Sequence, residues 1–315
     1  MTLTLLGESL CGGFAGGLTR FLVAPLDVIK VRAQLRGADL PSVGVARAAG
    51  AILREEGVRA LWRGSSAGIA LWVSFMAVQF PVYGACRRAL PRAFPEGAPP
   101  GAVLAACAGA AAGAAATLAT YPLDWARTQL ASGSVGVAGG AWAALRPALA
   151  ARGVGAWYAG ARPAVAAVLP SVALTFALHD ALCAAWDGWG GAGALLARAG
   201  APPELAAQAR SAACGGAAGL AAKLATHPLD TAKKLLQAQD AFRPPRLGAP
   251  HPRYSGALHA LRSLAAGSGG ARAWFRGLPP ALWKAGASTA LAFWAFEGAA
   301  RVAARVGSPL ADGRH

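Results

Sequence analysis

Three short runs set an acid and a base three residues apart: Pro25-Leu26-Asp27-Val28-Ile29-Lys30, Pro122-Leu123-Asp124-Trp125-Ala126-Arg127 and Pro228-Leu229-Asp230-Thr231-Ala232-Lys233. On a helix this spacing puts both charges on one face. Charges at membrane depth are too costly to be placed there merely to pair with a neighbour on the same turn. Three such helices around a pseudo-threefold axis would instead close a ring, Asp27 with Arg127, Asp124 with Lys233 and Asp230 with Lys30. Five residues before each proline stand Arg20, Thr117 and Lys223, about a turn and a half along the helix and on the same central side. A further cation, Lys284, lies in the last apolar run and has no signature acid of its own. An isolated cation costs roughly 2.5–3.5 kcal/mol to insert into lipid, so Arg20, Lys223 and Lys284 together describe an anion site. Arginine grips phosphate with two bonds and lysine as a point charge, which suits a phosphorylated ligand better than a monocarboxylate.

The elements that must position these groups repeat with them. Thirteen residues before each proline is a glycine, Gly12, Gly109 or Gly215, with a second four residues later at Gly16, Gly113 or Gly219. Small residues let helices approach closely where no hydrophobic effect drives them together, so each odd helix should touch another there. The proline removes a backbone donor and should bend the helix end inward. A closing element also recurs: Glu56-Gly57 before Trp62-Arg63-Gly64, Gly153 before Tyr158-Ala159-Gly160, and Gly270 before Phe275-Arg276-Gly277. Apolar stretches near 8–30, 66–90, 103–126, 163–186, 208–230 and 279–304 are each long enough for a span of about 20 residues. Two per repeat gives an all-α membrane protein of six transmembrane helices, divided 1–96, 97–190 and 191–315.

Between the spans of a repeat, Ser42 to Glu55 and Ala138 to Arg152 read as amphipathic helices on the membrane face, with Trp62 and Arg63 as an interfacial anchor. The third repeat carries a proline-rich basic insertion over 243–253, and the connection 187–209 holds only Arg198. The positive-inside tendency therefore puts the signature ends in the compartment interior.

The 315-residue chain is 55% hydrophobic and 14% charged, with a net charge of +16, a composition that belongs in a bilayer and not in a soluble globule. The cations lie mainly in the connections and suit an anionic membrane surface; no nucleic-acid-binding pattern competes. Cys11, Cys107 and Cys214 stand beside the glycines as small contact residues, without metal-ligand spacing. No Ser/His/Asp constellation or phosphate-cradling loop marks an enzyme. The N-terminus carries neither a signal peptide nor an Arg-rich presequence.

Pro-x-Asp-x-x-Lys/Arg at the end of each odd helix, three times over, resembles the signature of the mitochondrial carrier family. The resemblance covers essentially the whole chain. It implies a secondary transporter of the mitochondrial inner membrane, with a central cavity, a matrix network of three interhelix ion pairs and a mid-membrane substrate site. It also implies glutamines bracing the pairs, matched by Gln34 and Gln237 but not by Ala131. The family's cytoplasmic closing pattern is degraded here, leaving Arg87, Asp180 and Glu297, of which Arg87 with Asp180 is the one pair able to form. Lys284 matches a family substrate contact, with Leu71, Trp72, Ala167 and Val168 at the equivalent places. Within the family the chain most resembles the thiamine pyrophosphate carriers, in Gly17-Leu18-Thr19-Arg20, Ala77-Val78-Gln79-Phe80, Lys284 with Ser288-Thr289, and the long third loop. Thiamine pyrophosphate is then cargo, exchanged against nucleotides or phosphate, and no cofactor is implied. Gln79, Thr117, Ser288 and Thr289 could hydrogen-bond it, and Trp72 could cover its thiazolium. Other phosphorylated anions (adenine nucleotide, deoxynucleotide or coenzyme A) remain alternatives, as does a non-transporting receptor or scaffold. Inner-membrane lipid, cardiolipin in particular, is the expected partner of a functional monomer.

Overall fold

The computed structural model describes residues 5–35, 45–93, 101–133, 140–189, 203–238, 254–267 and 270–284, with 288 and 291. The helices are α1 (Leu5–Leu35), α2 (Val45–Glu56), α3 (Ser65–Ala93), α4 (Gly101–Ser132), α5 (Gly140–Arg152), α6 (Ala161–Trp189), α7 (Pro203–Ala238) and α8 (Ala257–Ala266). Short 3-10 segments at Val58–Trp62, Val154–Tyr158 and Gly270–Phe275 precede the even spans. Residues 278–284 are again helical and open the sixth span; its remainder, with Thr289 and Glu297, and the basic loop 243–253 lie outside the described residues. The described residues are all-α, in three repeats of long helix, surface helix and 3-10 segment, with a second long helix closing the first two repeats. The connection expected over 187–209 is shorter, because α6 runs on to Trp189 and α7 begins at Pro203.

Among the described residues three segments are long and apolar enough to cross a membrane, Val58–Leu90, Val103–Ser132 and Val154–Gly188. Val73, Phe80, Leu118, Leu169 and Phe176 stand exposed on these helices, as a lipid-facing surface requires. The signature prolines lie inside α1, α4 and α7, and each helix continues beyond them. What holds these continuations is burial. Val28, Ile29, Val31 and Leu35 pack with Ile52 of α2 and with Ala131 and Ala238 from the other two repeats. Trp125 and Ala126 pack on Ala144 and Leu145 of α5, and Ala232, Leu235 and Leu236 on Ala260 of α8. The packed core therefore sits at the signature end of the bundle, where the three odd helices converge over their surface helices.

Two glycine series place the helices. A Cβ on Gly16 would stand 2.6 Å from the Trp72 ring, and one on Gly113 3.2 Å from Val168. So α1 meets α3, and α4 meets α6, at the second glycine of the first two motifs, as small-residue packing requires, whereas Gly219 in the third has nothing within 4 Å among the described residues. The closing glycines act between repeats. Gly64, Gly160 and Gly277 all have left-handed backbone, with φ of 79°, 82° and 76°. A Cβ on each would meet the carbonyl oxygen of the signature base in the next repeat: Arg127 at 3.1 Å, Lys233 at 2.9 Å and Lys30 at 3.1 Å. Repeat one thus abuts two, two abuts three, and three abuts one, so the backbone closes on itself as a pseudo-threefold ring.

Candidate substrate cavity and charged ring

The convergence brings the three signature acids together with seven cations, and the pairing is less symmetric than the sequence suggests. Asp27 of α1 accepts a charge-assisted bond from the Arg127 guanidinium of α4 on Oδ2 and one from Lys284 Nζ on Oδ1 at 2.5 Å. Asp124 of α4 accepts from Lys233 Nζ at 2.8 Å and Lys234 Nζ at 3.4 Å, both on α7. Two of the three expected links between repeats are therefore formed.

The third is not. Asp230 is bonded by Lys223 of its own helix, and no ion pair of Lys30 occurs among the described residues. Lys223 and Asp230 stand seven residues apart, two helical turns, so they lie on one face and the long lysine can reach down it. Lys284 likewise departs from expectation: it has a carboxylate partner, and both side chains are largely buried, at 23% and 14% exposure. Of the three cations assigned to the anion site, two are thus engaged by signature acids. Arg20 stacks over Trp72, 5.7 Å from the ring centroid. The Trp72 ring, which could cover a thiazolium, packs on Gly16 and has a protein cation on its face.

The glutamines divide the same way. Gln237 donates Nε2 to Asp124 Oδ2 at 2.9 Å and to Tyr121 OH at 3.1 Å, while its Oε1 accepts from Lys234 Nζ at 2.8 Å. Gln34 is equally buried, yet neither amide atom has a hydrogen-bond partner among the described residues. Where Ala131 stands in place of a glutamine, its carbonyl accepts from Arg32 Nε at 3.1 Å.

Several members of this network escaped the sequence. Lys234 stands next to a signature base, and Tyr121 immediately precedes a signature proline. Tyr121 donates to Ala159 O at 3.0 Å beside the closing glycine and lies under Lys233, 5.4 Å from its ring centroid. His227, its counterpart in α7, reaches Arg276 O at 3.1 Å. The recurrence of a side chain before the proline and a backbone carbonyl before the closing glycine was the signal available. Arg32 and Arg63 both bond Glu56, Arg32 with two bonds of 2.5 and 3.0 Å, so Arg63 is tied to the closing acid of its own repeat.

Beyond the ring, Thr117 returns its hydroxyl to Gly113 O at 2.7 Å and Ser288 to Lys284 O at 2.7 Å. Gln79, Leu71 and Val168 are half-buried, and Ala167 is buried. A cleft lined by Arg20, Ala24, Asp27, Gly68 and Arg127 opens between α1, α3 and α4.

At the opposite end the expected Arg87–Asp180 pair is not formed: Arg87 is exposed and Asp180, at 73% side-chain exposure, contacts its neighbour His179 at 3.5 Å. The link found there joins α7 to α6, Arg210 Nε to Asp187 Oδ1 at 2.7 Å, from residues with no place in the repeating pattern.

The chain matches the family described as mitochondrial carrier protein over residues 2–94, 99–186 and 206–306. It is 32% identical over 311 residues to mitochondrial thiamine diphosphate carrier 2 of Zea mays, covering 92% of each chain. To mitochondrial thiamine pyrophosphate carrier 1 of Aspergillus oryzae it is 32% identical over 301 residues, covering 91% of this chain and 90% of the relative. The corresponding protein of Aspergillus terreus is 33% identical over 301 residues.

Proposed function

The chain belongs to the mitochondrial carrier family, and from that premise we propose that its cargo is thiamine pyrophosphate, exchanged against nucleotides or phosphate by alternating access. It is a transporter of the mitochondrial inner membrane and not an enzyme. The observation that carries the cargo assignment is the excess of cations. Asp27, Asp124 and Asp230 face Arg127, Lys284, Lys233, Lys234 and Lys223 as bonded partners, with Lys30 and Arg20 in addition. A cluster with that surplus at membrane depth calls for a multiply charged anion, and a pyrophosphate group supplies one. The names of its relatives, thiamine diphosphate and thiamine pyrophosphate carriers, favour thiamine pyrophosphate among such anions.

The conformation supports the direction of access. Interhelix pairs hold the signature end together, while the far end lacks the Arg87–Asp180 contact among the described residues. We read this as a state shut toward the matrix and open toward the cytoplasmic side, which cargo must shift by binding the two states unequally. The test is exchange in liposomes: labelled thiamine pyrophosphate inside, with thiamine pyrophosphate, adenine and deoxynucleotides, coenzyme A or phosphate outside. Exchange driven by nucleotides alone, with none of thiamine pyrophosphate, would reassign the cargo; no exchange with any anion would favour a non-transporting role.

A further inference from the structure

At the end opposite the signatures, one contact between α6 and α7 belongs to none of the repeating patterns. His179 and Cys183 stand one turn apart on α6, with the Cys183 sulfur 3.7 Å from His179 Nε2. Facing them on α7 is Cys214, whose thiol interacts directly with that of Cys183. The next residue, Gly215, lies against the same imidazole: a Cβ on it would stand 3.9 Å from His179 Cδ2. One turn earlier on α7, Arg210 donates to Cys183 O at 3.5 Å and to Asp187 Oδ1 at 2.7 Å, which holds the two helices in this register. Cys183 and Cys214 are buried, at 9% and 3% exposure, but the side chains of His179 and Asp187 beside them are 36% and 58% exposed. The thiols therefore sit one layer beneath a polar face that solvent reaches. Cys86 on α3 and Cys107 on α4, near the corresponding contact between the first two repeats, show no such pairing among the described residues.

We propose that Cys183 and Cys214 are an oxidisable pair: hydrogen peroxide, with His179 as the base, converts them into a disulfide that stitches repeat two to repeat three and arrests transport. His179 accepts the Cys183 proton, and the thiolate attacks one peroxide oxygen. The S–O bond forms as the O–O bond breaks, and the departing hydroxide takes the proton from His179 and leaves as water. The Cys214 sulfur then attacks the sulfenic sulfur of Cys183. The S–S bond forms, the S–O bond breaks, and the leaving hydroxide takes the Cys214 proton to become a second water. Two thiols thus lose two electrons and two protons, and one peroxide becomes two waters. Peroxide is small and uncharged, so the opening beside the exposed His179 is enough to admit it. The arrest rests on the alternating access read above. Here α6 closes the second repeat and α7 opens the third, and a change of access at this end requires the two helices to shift against one another. Packing and the Arg210–Asp187 pair, exposed at 36% and 58%, allow that shift. A covalent bond between the helices does not.

The test uses the reduced full chain, in lipid nanodiscs for mapping and in liposomes for exchange. Treatment with hydrogen peroxide should give a Cys183–Cys214 disulfide by peptide mass mapping, and dithiothreitol should reverse it. Exchange of labelled thiamine pyrophosphate should be lost as the disulfide forms and return on reduction. Cys214→Ala should exchange at the parent's rate both before and after peroxide, and His179→Gln should form the disulfide more slowly than the parent at equal peroxide. Absence of the disulfide, undiminished exchange once it has formed, or inhibition that persists in Cys214→Ala overturns the proposal; an equal rate in His179→Gln overturns the part given to the imidazole. Mapping on the parent needs no substitution, so it decides even where Cys214→Ala does not fold. A parent that exchanges thiamine pyrophosphate but forms no disulfide overturns the proposal and leaves the cargo reading standing. A parent that forms the disulfide reversibly, with a raised unfolding temperature when oxidised, yet exchanges no anion when reduced supports the pair and overturns the cargo reading.

Discussion

Replacing each signature aspartate by asparagine keeps its size and removes its charge, and the structure ranks the three substitutions. Asp124, 15% exposed, is the counter-charge of Lys233 and Lys234, which are 18% and 14% exposed. Removing one partner of a buried pair costs about 3–5 kcal/mol, because the other charge is left without compensation. Here two ammonium groups on adjacent residues are left facing one another. Gln237 keeps Lys234 and Tyr121 as partners, so the loss is of charge and not of the whole network. Asp230→Asn leaves Lys223 as the one bonded cation, 38% exposed and able to turn to water, with Lys30 nearby but not bonded to Asp230. A pair of that exposure is worth about 0–1 kcal/mol. The two variants should therefore differ by roughly 2–5 kcal/mol, about 4–20 °C in unfolding temperature at roughly 2–4 °C per kcal/mol. Asp27→Asn, which strands Arg127 and Lys284 at 20% and 23% exposure, should lie near Asp124→Asn. The assay is thermal unfolding of the ligand-free protein in nanodiscs, read as a rank order. Equal loss for Asp230→Asn and Asp124→Asn would show that the empty protein already has three equivalent links, and would refute the pairing derived above.

Lys284→Ala should weaken thiamine pyrophosphate binding about tenfold or more, with a modest stability loss near 1 kcal/mol because Asp27 keeps Arg127; thermal shift with and without cargo separates the two effects. Asp27→Arg should abolish exchange, and adding Arg127→Asp should restore only part of it, because Lys284 would then face a guanidinium; a disulfide between cysteines placed at 27 and 127 checks the proximity independently. Gly160→Ala should cost at least about 1–3 kcal/mol, since φ is 82° and the Cβ would meet Lys233 O at 2.9 Å, whereas Gly155→Ala meets nothing within 4 Å and should be silent in the same unfolding assay. A cysteine at Thr117 in the empty protein should react faster with a thiol reagent supplied from the cytoplasmic face than from the matrix face.

How far the sequence could reach is visible at particular residues. The pairs Asp27–Arg127 and Asp124–Lys233 were legible because constant offsets between signature, glycine and closing element define three equivalent modules. Contact at Gly16 and Gly113 was legible because a missing side chain at helical spacing has one common use in lipid. Lys223–Asp230 and Lys284–Asp27 were not. Lys223 was read as a cargo ligand because it stands beyond the signature, but a lysine is long enough to fold back two turns along its own helix. Lys284 comes from the sixth span, and no local pattern reveals which acid an isolated cation will meet. Lys234 was hidden by adjacency, since side chains one residue apart are expected to diverge. Both it and Lys233 reach Asp124 because α7 approaches α4 closely enough for either to arrive.

These cases share a cause that bears on mechanism. The repeats fix the backbone, and Gly64, Gly160 and Gly277 each lie against the signature base of the following repeat with nearly the same geometry. Symmetry at that level does not extend to the charges. The second repeat has Thr117 where the first and third have Arg20 and Lys223, and the third alone supplies Lys284. Three carboxylates distributed among more cations than they can satisfy must leave some cations short, and which ones depends on reach and exposure. A threefold frame carrying an asymmetric set of charges can thus keep one link, at Asp230, in a different state from the other two.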